Sequence, residues 1–248
     1  MYRPLSRIAR LMAALAAVAT CAGVTAQDQN VEVLRANAAD FSDRFGLNDL
    51  DHFAVDDRGK GLAELQGLRN FRSVLPGILY RAGGNNAYRV PKLPNNSPLP
   101  PEALPNLCKQ GFSEAVYLYG NGFKAQTATC DYQGRQHETV YAQQPINGSA
   151  ANGTHLLRII REQIVSLTPH PVLVHCYNGY HESGYASAIA LRQFCGFSSA
   201  QAYRYWEKNA APGVSFATMK KRIERFTPAP DLAISKAQSA AICPASAN

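Results

Sequence analysis

Several short stretches of the chain alternate or run apolar as strands do. GILYRAG (77–83) sets Ile78 and Tyr80 against Leu79 and Arg81, while EAVYLYG (114–120) and ETVYAQQ (138–144) are rich in β-branched and aromatic residues. VLVH (172–175) is apolar without a break, the pattern of a strand buried on both faces at a sheet centre. Elsewhere the period is helical. VEVLRANAADF predicts short helical pieces within residues 27–66, and EALPNLCKQG predicts a short helix ending at Gly111. After Thr154, a candidate cap, Leu156, Leu157, Ile160, Ile164 and Leu167 fall on one helical face. A helix from Ser183 to Phe194 follows VLVH, and SSAQAYRYWEKN and SFATMKKRIERF predict two more with serine caps. Strands alternating with helices, then a helical tail, predict an α/β sandwich: a central, mostly parallel sheet of four or five strands with helices on both faces. Trp206, Tyr203 and Tyr205 read as packing residues.

Composition changes this picture at the ends. Residues 1–26 carry Arg3, Arg7 and Arg10, then a short apolar run, then small residues with Val24 and Ala26 at cleavage positions. That is the pattern of a secretory signal peptide, too short in its apolar run to span a bilayer. Thr20 before Cys21 fits a lipid-attachment site poorly. Without the leader, 22 of the 25 Lys+Arg remain against 18 Asp+Glu, an ordinary surface rather than a nucleic-acid footprint. Lys220, Lys221, Arg222 and Arg225 read as one solvated helix face.

An exported protein meets an oxidising compartment, either periplasm or the cell exterior. Five cysteines remain after the leader, so at least one stays unpaired within the chain. Cys176 is taken as the free one; the other four can make two disulfides in more than one way, Cys108–Cys130 and Cys195–Cys243 being the locally economical pairing, with reduced, buried thiols as the alternative.

Cys176 ends the apolar strand, and HCYNGYHESG (175–184) joins it directly to a helix. The first N–H groups of a helix have no helical partner and point outward together with the positive end of the dipole, which makes an anion cradle. Gly179 and Gly184 admit backbone conformations and close approaches that side chains block. A thiol at the base of such a cradle is placed as an activated nucleophile facing an anionic substrate.

The loop resembles the H-C-x-x-G-x-x-R-[S/T]-G signature of the cysteine-dependent tyrosine and dual-specificity phosphatases, through His175, Cys176, Gly179, Ser183 and Gly184. NFRSVLPGILYRAGGNN (70–86) is similar to the entry strand of dual-specificity-type members, and LPNLCKQGFSEAVYLYG to the helix and strand that follow. The resemblance implies a phosphatase-like domain over 67–228, between a 27–66 extension and a 229–248 tail. It implies Cys176 as nucleophile forming a thiophosphate, Ser183 as helper of the leaving thiolate, and His175 as a tuning residue. Tyr177, Asn178, Gly179, Tyr180, His181 and Gly184 complete the binding loop, with Tyr177 and Tyr180 at its mouth.

Two parts of the family pattern are replaced. The position of the phosphate-gripping arginine holds Glu182, and residues 139–161 contain no Asp or Glu to act as the upstream general acid. Asn147, Asn152 and His155 stand there instead. A carboxylate about 4 Å from a unit negative charge costs ~4 kcal/mol at an effective dielectric of about 20. Ordinary phosphomonoester hydrolysis is therefore not expected. The site predicted is a Cys176–Glu182–Ser183 loop that binds a small anionic or phosphorylated ligand, with Glu182 itself curled into the phosphate seat. A Cys176-dependent hydrolase or transferase on another substrate remains open. So does a residual phosphatase whose missing charge comes from Arg81 or Arg192. His175, Cys176, His181 and Glu182 are ligand types, but side chains radiate outward from such a loop, so no metal is expected and no cofactor is implied. The sequence names no protein partner.

Overall fold

The computed structural model describes residues 25–52, 63–84, 98–120, 122–146, 150–210 and 217–244, with the backbone alone at 150–152. The leader through Val24 with its Cys21, Asn147, Ser215 and the side chain of Asn152 lie outside that description.

Six strands form one sheet: β1 Arg69–Leu75, β2 Leu79–Gly83, β3 Glu114–Tyr117, β4 Gln126–Tyr132, β5 Arg135–Gln143 and β6 Val172–Cys176. Their order is β1-β2-β6-β3-β5-β4. The four central strands are parallel, and antiparallel hairpins close both edges. β6 is paired on both sides and buried along its whole length, as its unbroken apolar run requires. β1 and β4 exceed the four or five strands predicted. β4 (QTATCDY) is half exposed, and its hairpin to β5 turns on Gln133 and Gly134, with φ of 55° and 76°. Two consecutive positive φ values match the tight turn whose twist fits the flanking strands.

Among the described residues there are seven α-helices: α1 Ala26–Phe45, α2 Ala103–Lys109, α3 Ala150–Val165, α4 Glu182–Phe194, α5 Ser199–Lys208, α6 Ala217–Arg225 and α7 Lys236–Ile242. They lie on both faces of the sheet and enclose two cores. One gathers Leu156, Ile160, Val174, Ile189 and Trp206. The other is aromatic, with Phe41, Phe45, Phe71, Tyr80 and Phe112 in mutual ring contact.

Three local expectations are corrected. The region predicted as short pieces contains one 20-residue helix, α1, held by a Thr25–Asp28 capping box and ended by Gly46 at φ 65°. It gives Leu34 to one core and Phe41 to the other. Thr154 lies inside α3, which starts at Ala150, so it is not the cap. Leu167 falls past the end of α3 and is 48% exposed, because the helix stops before that turn. Ser198 caps α5, and Trp206 is fully buried, as predicted.

Both predicted disulfides are present, Cys108–Cys130 and Cys195–Cys243, and among the described residues Cys176 is the free cysteine. Among the described residues no helix is long and apolar enough to cross a membrane.

Glu114, at the start of β3, is pushed up to about 7 by burial and by the nearby Glu162. The ordinary value is 4.5. The folded state therefore holds this proton more tightly than the unfolded chain. Its contribution to stability is fully present below about pH 4.5 and is lost as pH rises through about 7. Glu114→Gln is expected to be more stable than wild type at pH 8 by about 2 kcal/mol and to match it near pH 4.5. Urea midpoints that differ by the same amount at both pH values would refute this.

Candidate functional site

Cys176 is the last residue of β6 and stands opposite Gly83, the last residue of β2. Its carbonyl accepts from the Gly84 amide at 2.8 Å, and its side chain is 2% exposed. The loop 177–181 then leads to α4, whose first hydrogen bond runs from the Tyr185 amide to the His181 carbonyl at 2.8 Å. The amides of Glu182, Ser183 and Gly184 thus precede any intrahelical bond, and His181 supplies no side-chain cap. Ser183 Oγ lies 3.4 Å from Cys176 Sγ, and both side chains are buried. The thiol, the hydroxyl and the open helix start occupy one place.

The loop lies directly on the end of β2. Gly179 has φ +77°, and a Cβ built on Gly83 would stand 2.4 Å from the Asn178 carbonyl carbon. Neither position can carry a side chain without lifting the loop. At Gly184 a Cβ would meet Trp206 at 2.8 Å, so α5 packs against the start of α4 only across a glycine.

The His175 ring turns beneath the sheet end. It stacks on Tyr117 at 4.9 Å, and its Nε2 meets the Tyr141 hydroxyl at 2.8 Å. Burial pushes its pKa down to about 3, so it is a neutral, fixed support. Asn178 Oδ1 accepts from Arg69 at 2.5 Å, and the Arg69 guanidinium lies 5.9 Å from the Tyr180 ring. His181 sits beside Trp206, whose indole N–H donates to the His181 carbonyl at 3.1 Å. Burial holds the His181 imidazole below its usual range. Tyr177 is half-buried.

Glu182 does not curl into the phosphate seat. Both its carboxylate oxygens accept from Arg222 on α6, at 2.8 and 2.9 Å. The same guanidinium donates to the Ile146 carbonyl at 3.2 Å and lies 4.1 Å over the Tyr185 ring. A bidentate, charged guanidinium is a stronger partner for a buried carboxylate than neutral backbone amides. Arg222 therefore leaves the solvated face predicted for it, while Lys220, Lys221 and Arg225 remain exposed. Glu182 is thus half of a neutral pair.

Among solved structures, the core catalytic domain of the PP-IP phosphatase SIW14 from S. cerevisiae, in complex with citrate, is similar. It is 17% identical, with 64% of this chain and 86% of that chain covered and a TM-score of 0.43. No known family's sequence pattern matches the chain, and no curated protein does.

Of the two arginines considered as substitutes, Arg192 is excluded by position: it donates to the carbonyls of Ile223 and Phe226, both at 2.6 Å. Arg81 lies under the loop and donates to the Gly179 carbonyl. That oxygen also accepts from Asn70 Nδ2 at 3.2 Å. Tyr119, past the end of β3, is raised by burial and then by Cys176 and Glu182, so its phenol stays protonated beside them. Sequence reasoning missed Arg222, Asn70 and Tyr119. A glutamate buried at a helix start does call for a cation, and 220–225 is a dense source of cations. His155 is an exposed residue of α3. Among the described residues no three His, Cys, Asp or Glu side chains gather to hold a metal.

Proposed function

We propose that the protein is an exported member of the cysteine-dependent phosphatase superfamily. In this reading the 175–184 loop binds a small anionic or phosphorylated ligand, and ordinary phosphomonoesterase activity is absent. The observation that carries the reading is the joint placement of Cys176 and Ser183, 3.4 Å apart, at an uncapped helix start, with Glu182 pinned by Arg222 where the gripping arginine belongs. The proposed division of labour gives Cys176 and the amides of Glu182, Ser183 and Gly184 the contact with the anion. Ser183 bonds the thiol, neutral His175 fixes the strand end, and Tyr177, Asn178, Gly179, Tyr180 and His181 form the wall.

Charge repulsion is a weaker reason for inactivity than the sequence suggests, because Arg222 offsets Glu182. The stronger reasons are the lost bidentate grip on the transferring group and the lost carboxylic acid. General acid catalysis alone is worth about 10²–10⁴ in rate. The leader and the two disulfides support export.

The test is turnover of an aryl phosphate by the native protein, by Cys176→Ser, and by the charge-exchanged Glu182→Arg/Arg222→Glu pair. Native protein is expected to be no faster than Cys176→Ser. The exchanged pair, which keeps the ion pair but puts a guanidinium on the loop, is expected to gain Cys176-dependent turnover. Brisk native hydrolysis abolished by Cys176→Ser would overturn the reading in favour of a working phosphatase.

A further inference from the structure

Arg81 is the unusual residue of the sheet. It sits in β2 opposite Val174 of the central strand, and its side chain is 0% exposed. It donates to the Tyr205 hydroxyl at 3.1 Å, to the Gly179 carbonyl, and to the Asn209 carbonyl at 3.5 Å. Its Nε has no hydrogen-bond partner, and among the described residues no carboxylate pairs with it. A fully buried cation without a countercharge is costly, and carbonyl dipoles offset only part of the cost. A second guanidinium, Arg72, stands close by. Burial and the charge of Arg81 lower its pKa to about 10. Positive charge is thus concentrated behind one segment of backbone, the loop after Cys176.

The contact with that backbone is directional. In a trans peptide the C=O and N–H point opposite ways. With the Gly179 carbonyl turned down onto Arg81, the N–H of the same peptide points to the other side, away from the guanidinium. Asn70 grips the same carbonyl and is itself held by Arg72 Nε on its Oδ1 at 3.0 Å. Asn70 is 3% exposed and takes a φ of 52°, a left-handed conformation uncommon for non-glycine residues, though asparagine adopts it more readily than most.

We infer that Arg81, seated with Asn70 beneath the loop, is a positioning residue that aims the cradle and supplies from below the positive charge that position 182, a glutamate, does not supply from above, so that the loop takes oxyanions of the phosphate class. The inference rests on the anion-site reading of the loop and adds to it the residue that makes the site cationic. The cradle amides, the open helix start and a buried guanidinium with no carboxylate partner among the described residues then act on the same bound oxygen atoms.

Alkylation of Cys176, the free thiol, tests this in the intact, disulfide-bonded protein. Iodoacetate is an anion and iodoacetamide is its neutral analogue. The ratio of their rates reads the potential at the sulfur, and changes in folding or access move both rates together. Wild type is expected to favour iodoacetate well beyond a free-cysteine reference, with inorganic phosphate protecting the thiol. Arg81→Met is expected to lower the ratio about tenfold, and Arg81→Lys to hold it within about threefold of wild type. Asn70→Gly keeps the φ and the charge but loses the bond. It is expected to keep the ratio and lose phosphate protection.

A ratio unchanged in Arg81→Met, with both rates altered alike, would make Arg81 merely structural and overturn the inference while leaving the anion site standing. A wild-type ratio equal to the reference, with no phosphate protection, would remove the anion site itself. Should Arg81→Met not fold, wild type at about 1 M salt decides, since surface charges are then screened within about 3 Å and a buried one is not. A ratio that survives supports Arg81, and one that collapses overturns it.

Discussion

Arg222→Ala should destabilise the protein by about 3 kcal/mol, nearly all of it through the carboxylate left behind rather than through the lost pair itself. Glu182 is 8% exposed, and Arg222 holds both its oxygens. Removing the guanidinium strands a desolvated negative charge at the first turn of α4. It also removes the stacking on Tyr185 at 4.1 Å. A fully buried pair broken on one side costs about 3–5 kcal/mol. The Arg222 side chain retains 22% of its exposure, so water can reach the gap and the lower end applies. Glu182→Gln/Arg222→Met removes both charges together and should recover the loss to within about 1 kcal/mol of wild type. Glu182→Arg alone should be among the least stable variants, since it sets two guanidinium groups against each other. For that reason the charge exchange, and not the single substitution, is the fair test of latent phosphatase activity. Urea unfolding of the three variants measures this. Equal stability of Arg222→Ala and the doubly neutral variant would show that the fork is a surface ornament.

The strand that carries the site was legible because β6 has neighbours on both sides and an apolar residue at nearly every position. The loop after it was legible because glycine spacing and a terminal cysteine are local features. Both disulfides join cysteines that are neighbours in the chain order once Cys176 is set aside, the most economical of the pairings the sequence leaves open. β4 was not legible: as an outer strand with one exposed face it needs few apolar residues, and its pairing with β5 is set by the Gln133–Gly134 turn and by Cys130. α1 was legible only in fragments, since a helix that gives a few side chains to each of two cores shows no sustained stripe.

The site failed to be legible where partners are distant in sequence. Glu182 and Arg222 are 40 residues apart, and Arg81 and Gly179 are 98. Glu182 drew notice as a misplaced charge, yet its direction depends on a helix that spacing alone cannot bring to it. Arg81 was named only as one of two available cations; the register of β2 on β6 places it under the loop. Asn70 has no sequence signal at all, because its role follows from a backbone angle.

Removing the Cys195–Cys243 bridge by a double Cys→Ala substitution should cost about 4 kcal/mol, the largest single loss expected in this protein. The two cysteines are 48 residues apart, and the bond joins the end of α4 to the end of α7. The estimate follows from the entropy that the open chain regains: a loop of that length gives about 4 kcal/mol at 25 °C, against about 3.4 for the 22-residue Cys108–Cys130 loop. Native packing adds to the longer bridge. Ser239 Oγ donates to the Phe194 carbonyl at 2.8 Å, and Gln193 exchanges bonds of 2.7 and 3.0 Å with the Ala229 backbone, so α7 and its lead-in are seated on α4. α7 also packs on α1, through the buried Gln238–Asn30 bond at 2.8 Å and the fully buried Ile242, but most of its polar ties are partly exposed, so without the covalent tie this end of the molecule should open before the central strands. In hydrogen exchange the double variant should lose protection over 229–244 before the central strands change. The consequence reaches the site, because α4 carries the cradle at its other end and is the element the tail braces. Protein made in a reducing compartment should accordingly unfold at lower urea than protein exported and oxidised, and should regain the difference on oxidation with Cys176 still alkylatable. If the reduced and oxidised forms unfold together, the bridge is not what holds the tail, and the structural argument for export falls with it.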